Sequence, residues 1–254
     1  MKGREGKEIS FCGVRIDNLT MEEAVETVRK SLIEKKKQFV VYVNSDVVIR
    51  ADRDGRLKEI INSADLVLAD GMPVVWLSRL YPSPIRERVA GSDMVPRLCK
   101  VAWEEKKSVF LLGGQEGVPQ AAADNLQKRF PGLRIAGWDS PPLGFEKRET
   151  ELARLREKIT ASGAELLIVC LGCPKQERFI YENMAKYGAT VSVCAGATID
   201  FLAGRVKRCP VWMGRMGLEW FYRFLKEPGR LFKRYFRDDM RIFLLAFKYR
   251  LRKR

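Results

Sequence analysis

Asp70 and Gly71 close the apolar run from Asp65 to Ala69 of this 254-residue chain. A carboxylate pinned at a strand end, with a glycine beside it to admit a ligand, suits general-base work. The same pair also serves as a turn or a helix N-cap, and Asp93, after Gly91 and Ser92, carries the same two readings. The string LGCPKQE, residues 171–177, follows a buried strand and opens a helix. First-turn N–H groups lack intrahelical partners and the helix dipole favours an anion there. With the charge of Lys175, the string suits a diphosphate or a sugar, or ordinary capping. Gly113 and Gly114 begin a glycine-rich loop that lacks the G-x-G-x-x-G spacing, so hydride transfer gains no support.

Several chemistries drop out. The chain has no histidine, which removes imidazole acid–base work and every His-based triad. Proton transfer then falls to Asp, Glu, Lys, Tyr or Cys. Asp52, Arg53 and Asp54 match a bare D-x-D, but they sit in a polar stretch before Gly55, away from any strand end, and read as a solvated turn. Cys170 and Cys173 form a C-x-x-C with no second pair, and Cys170 lies in an apolar run. They read as reduced thiols of a cytosolic protein rather than a redox or metal site.

These residues need a scaffold that gathers strand ends. A capping box at Thr20 and Glu23 predicts a helix from Met21 to Lys35. Strands are predicted over 39–43, 66–69, 109–112, 135–138, 166–171 and 190–194, with helices between them. The rhythm predicts an α/β, Rossmann-like fold: a largely parallel sheet with helices on both faces, plus a basic helical C-terminal appendage. Asn44, Asp70, Gly113, Gly114, Gly172 and Gly196 all fall at strand C-terminal ends, where open α/β sheets hold their ligand crevice.

Residues 1–204 form the expected catalytic domain and 205–254 the appendage. That appendage holds 16 Lys and Arg against four acids, so +12 of the net +15 lies in it. Such asymmetry predicts a polyanionic partner, an anionic membrane or nucleic acid. Beyond Pro228 and Gly229, aromatic and aliphatic residues alternate with arginines, as in an interfacial amphipathic helix. No opening signal peptide and no apolar run of about 18 residues is present. The expected location is therefore cytoplasmic, peripheral on the inner face of the cell membrane. On the charge pattern, removing 205–254 is expected to give a more soluble protein with little activity.

Taken in order, these strings resemble the WecG/TagA/CpsF glycosyltransferase family over nearly the whole chain. The landmarks are Asn44, the Ala69-Asp70-Gly71 step, Gly91-Ser92-Asp93, residues 110–114 (FLLGG) and residues 171–177 (LGCPKQE). Gly196 to Asp200 (GATID), 204–210 (GRVKRCP), 217–223 (GLEWFYR) and Lys226-Glu227-Pro228 complete the set.

The resemblance implies an inverting transfer from a UDP-sugar to a polyprenyl-diphosphate-linked sugar. TagA-like members move N-acetylmannosamine onto N-acetylglucosamine in wall teichoic acid synthesis; others use another UDP-hexose for capsule or exopolysaccharide. It implies no metal and no cofactor beyond the donor, with Asp70 as base, Gln176 orienting hydroxyls and Asn44 beside the same crevice. Tyr42, Gly71, Gly91, Asp93, Gly113, Gly114, Gly172, Pro174, Lys175, Glu177, Gly196 and Asp200 are the implied substrate contacts. Arg223 and Arg230, with Lys233 and Arg234, match the basic positions of the tail that complete the site; a lysine lacks the bidentate fork of arginine. Members often carry threonine two residues before the asparagine, where this chain has Tyr42. The rival reading is a basic nucleic-acid-binding protein, which leaves the polar strand ends unexplained. A homo-oligomer stays open.

Overall fold

The structure is a computed structural model. It describes residues 8–206, 209–210, 213, 219–226, 229 and 240–252, with backbone only at 219, 220, 223, 226 and 252.

A hairpin of β1 (Glu8–Phe11) and β2 (Val14–Asp17) comes first. It leads into α1 (Met21–Ile33), whose capping box forms as predicted: Thr20 Oγ1 accepts from the Glu23 N–H at 3.2 Å, and Glu23 Oε2 accepts from the Thr20 N–H at 2.8 Å. The chain continues through β3 (Gln38–Val43), α2 (Ser45–Arg53), α3 (Gly55–Ser63), β4 (Leu66–Ala69), α4 (Met72–Ser78) and α5 (Gly91–Glu104). Next come β5 (Ser108–Gly113), α6 (Val118–Arg129), β6 (Arg134–Asp139), α7 (Glu149–Ser162), β7 (Leu166–Cys170), α8 (Lys175–Asn183), β8 (Val191–Cys194) and α9 (Thr198–Leu202). The described part of the appendage contributes α10 (Glu219–Lys226) and α11 (Arg241–Arg252).

Six strands form one parallel sheet in the order β4-β3-β8-β7-β5-β6. The predicted strands are all present and the Rossmann-like α/β class holds. The sequence pattern assigns no strand before Phe39, so the hairpin is an addition. It shields the sheet edge at β4, where Asp17 Oδ2 accepts from the Val67 N–H at 2.7 Å.

Side chains of the central strands alternate between two cores, as the period of two requires. Phe39, Val41 and Val43 of β3 join Leu167 and Val169 of β7 on the face covered by α2, α3, α7 and α8. Val40 and Tyr42, with Leu166 and Ile168, face α1, α5 and α6 on the other side. Neighbouring strands β3 and β8 then send the chain to opposite faces. Val47 and Val48 of α2 enter the first core and Ile199 of α9 the second. That divergence is a topological switch point, and the C-terminal ends of β3 and β8 flank the crevice it opens.

α11 belongs structurally to the first face. It packs on α2 and α4, and Ile242, Leu245 and Ala246 are buried in that core. Tyr81 Oη donates to the Ala246 carbonyl at 3.1 Å. Tyr249 Oη donates to Asp52 Oδ1 at 2.9 Å and accepts from Lys58 Nζ at 3.3 Å, and Arg250 donates to the Leu80 carbonyl.

Candidate active site

The end of β3 sets the first wall. Asn44 Oδ1 accepts from the Val47 N–H at 3.1 Å, capping α2. The Asp70 N–H donates to the Val43 carbonyl at 2.9 Å, so the ends of β3 and β4 are tied side by side. The Val89 N–H donates to the Ala69 carbonyl at 2.8 Å and draws the segment before α5 against the same end. On the other side, the Gly196 N–H donates to Gln176 Oε1 at 3.0 Å, linking the start of α8 to the turn after β8. These elements enclose a cavity of about 540 Å3 at the switch point.

Of the residues singled out in the sequence, Tyr42, Asn44, Asp70 and Gly71 line this cavity from β3 and β4. Gly91, Gly172, Gln176 and Gly196 line it from the helix-opening turns. Gly91 is required by close approach, since a Cβ there would meet the Tyr42 ring at 3.0 Å. Tyr42 itself is 6% exposed, and its hydroxyl is buried without a hydrogen-bond partner. Burial, then the nearby Asp70 carboxylate, push that phenol well above its ordinary value.

The other substrate contacts implied by the resemblance do not line the cavity. Gly113 serves packing: its φ is +109°, and a Cβ would meet the Cys170 carbonyl oxygen at 2.4 Å. Gly114 lies against Val118 and Ile199. Lys175 turns outward to an ion pair with Glu146 at 2.7 Å, and Pro174 is the N-cap residue of α8. Asp200 lies in α9, where its carbonyl accepts from the Arg205 N–H at 3.0 Å. Glu177 is buried behind Gln176. Asp93 reaches the site only through a neighbour: its Oδ2 accepts from Arg88 Nη2 at 2.9 Å. Arg230, Lys233 and Arg234 lie outside the described residues, as does the side chain of Arg223.

Arg88, which the sequence reading passed over, lines the same cavity as Asp70. Its signal was an arginine five residues before Asp93, an aspartate already singled out. Asp46 was also missed: it lines the cavity from the first turn of α2, held by Arg50 Nε at 2.9 Å. Met240, Ile242 and Phe243 contribute an apolar wall from α11 and its leading residue. Asp52 and Asp54 stay outside the cavity. Tyr249 engages Asp52, while Asp54 caps α3 through the Leu57 N–H at 3.0 Å and pairs with Arg178 at 2.7 Å. Both stay partly exposed, at a helix end and a cap rather than in a free turn.

An open parallel sheet with a carboxylate, an amide and an arginine gathered at its switch point defines a Rossmann-like α/β enzyme. The chain belongs to the Glycosyl transferase WecG/TagA/CpsF family, whose sequence profile matches residues 9–254. It is similar to the N-acetylglucosaminyldiphosphoundecaprenol N-acetyl-beta-D-mannosaminyltransferase of Bacillus spizizenii, with 35% identity over 78% of this chain and 75% of the relative. The protein of the same name from Bacillus subtilis is 31% identical over 84% of this chain and 81% of its own length. That from Staphylococcus aureus is 31% identical over 88% of both.

Proposed function

We propose that this enzyme transfers N-acetylmannosamine from a UDP-sugar, with inversion, to N-acetylglucosamine carried on a polyprenyl diphosphate, in synthesis of wall teichoic acid or a related surface polysaccharide. One observation carries the reading: Asp70, Asn44, Arg88 and Gln176 share a crevice to which Met240, Ile242 and Phe243 add an apolar wall. That combination suits a substrate with a polar sugar, an anionic diphosphate and a hydrocarbon chain.

The acceptor hydroxyl loses a proton as it attacks the anomeric carbon, and Asp70 is the carboxylate at hand to take it. UDP departs with added negative charge, which Arg88, steered by Asp93, is positioned to meet. Diphosphate charge is carried in this scheme by side chains rather than by a resident metal or cofactor. Residues 205–254 act as the membrane-facing appendage, with Arg223, Arg230, Lys233 and Arg234 supplying further positive charge.

The surface of α11 supports a location on the inner face of the membrane. Its outward face exposes Phe243, Leu244, Phe247 and Leu251 among Arg241, Lys248 and Arg250, a pattern that partitions into an anionic interface. Phe243 also lines the cavity, so the apolar strip runs from that face to the site. No helix among the described residues is long and apolar enough to cross a membrane.

The test is transfer from a panel of UDP-sugars to a prenyl-diphosphate-GlcNAc analogue, with products identified by mass. A product heavier by one N-acetylhexosamine, formed from UDP-N-acetylmannosamine in preference to the other donors, is the expected result. No transfer from any UDP-sugar would overturn the reading.

A further inference from the structure

Glu177 stands one residue beyond the crevice and is fully buried, at 0% exposure. Its Oε1 accepts from Gln176 Nε2 at 2.9 Å. Its Oε2 is buried with no hydrogen-bond partner. The thiols of Cys173, from the loop before α8, and Cys194, from β8, flank the carboxyl. Among the described residues no Lys or Arg forms an ion pair with it; Arg50 of α2 is near enough to feel its charge. An ionised carboxylate so enclosed, its second oxygen offered nothing stronger than weak thiol donors, is costly to bury, and the neutral acid relieves that cost.

Gln176 depends on this neighbour. A side-chain amide can present either its oxygen or its nitrogen in a given direction, and the hydrogen-bond network decides which. The Gly196 N–H demands the oxygen on one side, and Glu177 Oε1 demands the nitrogen on the other. One Nε2 hydrogen and one Oε1 lone pair remain for a ligand in the cavity that Gln176 lines.

We propose that Glu177 is a positioning residue for glycosyl transfer, working as a neutral acid that fixes the amide of Gln176 toward the substrate and keeps negative charge away from the departing diphosphate. The inference rests on the functional reading above. Burial pushes the Glu177 carboxyl upward, against the Gln176 hydrogen bond that lowers it. The unfolded chain therefore releases this proton at lower pH than the folded one. Above the ordinary carboxylate range, stability falls as pH climbs toward the folded-state value. Activity declines over the same range, because an ionised Glu177 adds a buried negative charge beside the site.

The experiment uses the full-length enzyme with UDP-N-acetylmannosamine and a prenyl-diphosphate-GlcNAc analogue, comparing Glu177→Gln, Glu177→Met and Gln176→Ala from pH 5 to 10. Glu177→Gln keeps an acceptor for Gln176 and is neutral throughout. It is expected to retain near-wild-type kcat at pH 7, to lose the decline seen as pH rises, and to melt higher than wild type at the upper end of the range. Glu177→Met fills the space without an acceptor and is expected to lower kcat about 100-fold with little change in UDP affinity. Three results would overturn the proposal: wild-type kcat in Glu177→Met, a Glu177→Gln variant as weak as Glu177→Met, or a decline with rising pH that Glu177→Gln leaves unchanged. Impaired Gln176→Ala beside an unimpaired Glu177→Met confines the failure to this inference. Wild-type behaviour of Gln176→Ala overturns the placement of Gln176 in the site as well.

Discussion

Replacing Ile242 by alanine tests whether α11 is a wall of the active site. Ile242 is 1% exposed, sits in the core with Leu245 and Ala246, and also lines the cavity. Truncating a buried isoleucine costs about 2–5 kcal/mol in transfer and cavity terms. Because α11 is the last described element and packs on α2 and α4, the loss falls first on local docking of the helix. At the lower bound, the docking equilibrium shifts by roughly 30-fold. The assay is amide hydrogen exchange alongside transferase turnover. Amides of α11 are expected to exchange about 30-fold faster or more, while those of β3, β7 and β8 keep their protection. kcat/KM is expected to fall in step with undocking, since the cavity loses its apolar side. Unchanged exchange in α11, or undocking with full activity on a lipid-linked acceptor, would refute the reasoning.

The Tyr42 hydroxyl is buried without a partner, an arrangement that costs about 1–3 kcal/mol. Tyr42→Phe is therefore expected to raise the melting temperature while lowering kcat/KM; a stabilised variant with unchanged kinetics would deny the hydroxyl any part in the reaction. On the outer face of α11, Leu244 is 75% and Phe247 60% exposed. Each contributes about 1.5–3 kcal/mol when buried in an apolar phase, so Leu244→Ser with Phe247→Ser is expected to weaken sedimentation with vesicles of mixed anionic and zwitterionic lipid at least tenfold. Equal partitioning of variant and wild type would remove this face from the interface.

The sheet was legible because β3, β5, β7 and β8 are mostly apolar runs followed closely by polar or glycine residues, as parallel strands buried on both faces must be. The hairpin at 8–17 escaped notice because its strands have four residues each, too few for an alternation to register. Asp70, Asn44 and Gln176 were readable from strand ends and helix starts. Arg88 was not, since it lies in a connection between helices that long-range contacts such as the Val89–Ala69 hydrogen bond bring to the site. Gly113 and Gly114 fall outside the cavity, and a glycine at positive φ, packed on the Cys170 carbonyl or on Val118 and Ile199, looks the same in sequence as one that admits a ligand. Charge alone made residues 205–254 look detachable. Burial of Ile242, Leu245 and Ala246 means that a cut at 205 uncovers core, so the truncated chain is expected to lose solubility rather than gain it.

Asp70→Asn tests the central claim most directly. The exchange is nearly isosteric, and the Asp70 backbone N–H remains bonded to the Val43 carbonyl, so the strand end keeps its form. Removing a general base lowers turnover by about 100- to 10,000-fold. Single-turnover transfer from UDP-N-acetylmannosamine, measured with UDP affinity by calorimetry, is expected to lose that factor in rate with binding unchanged. Wild-type turnover by Asp70→Asn would contradict the account.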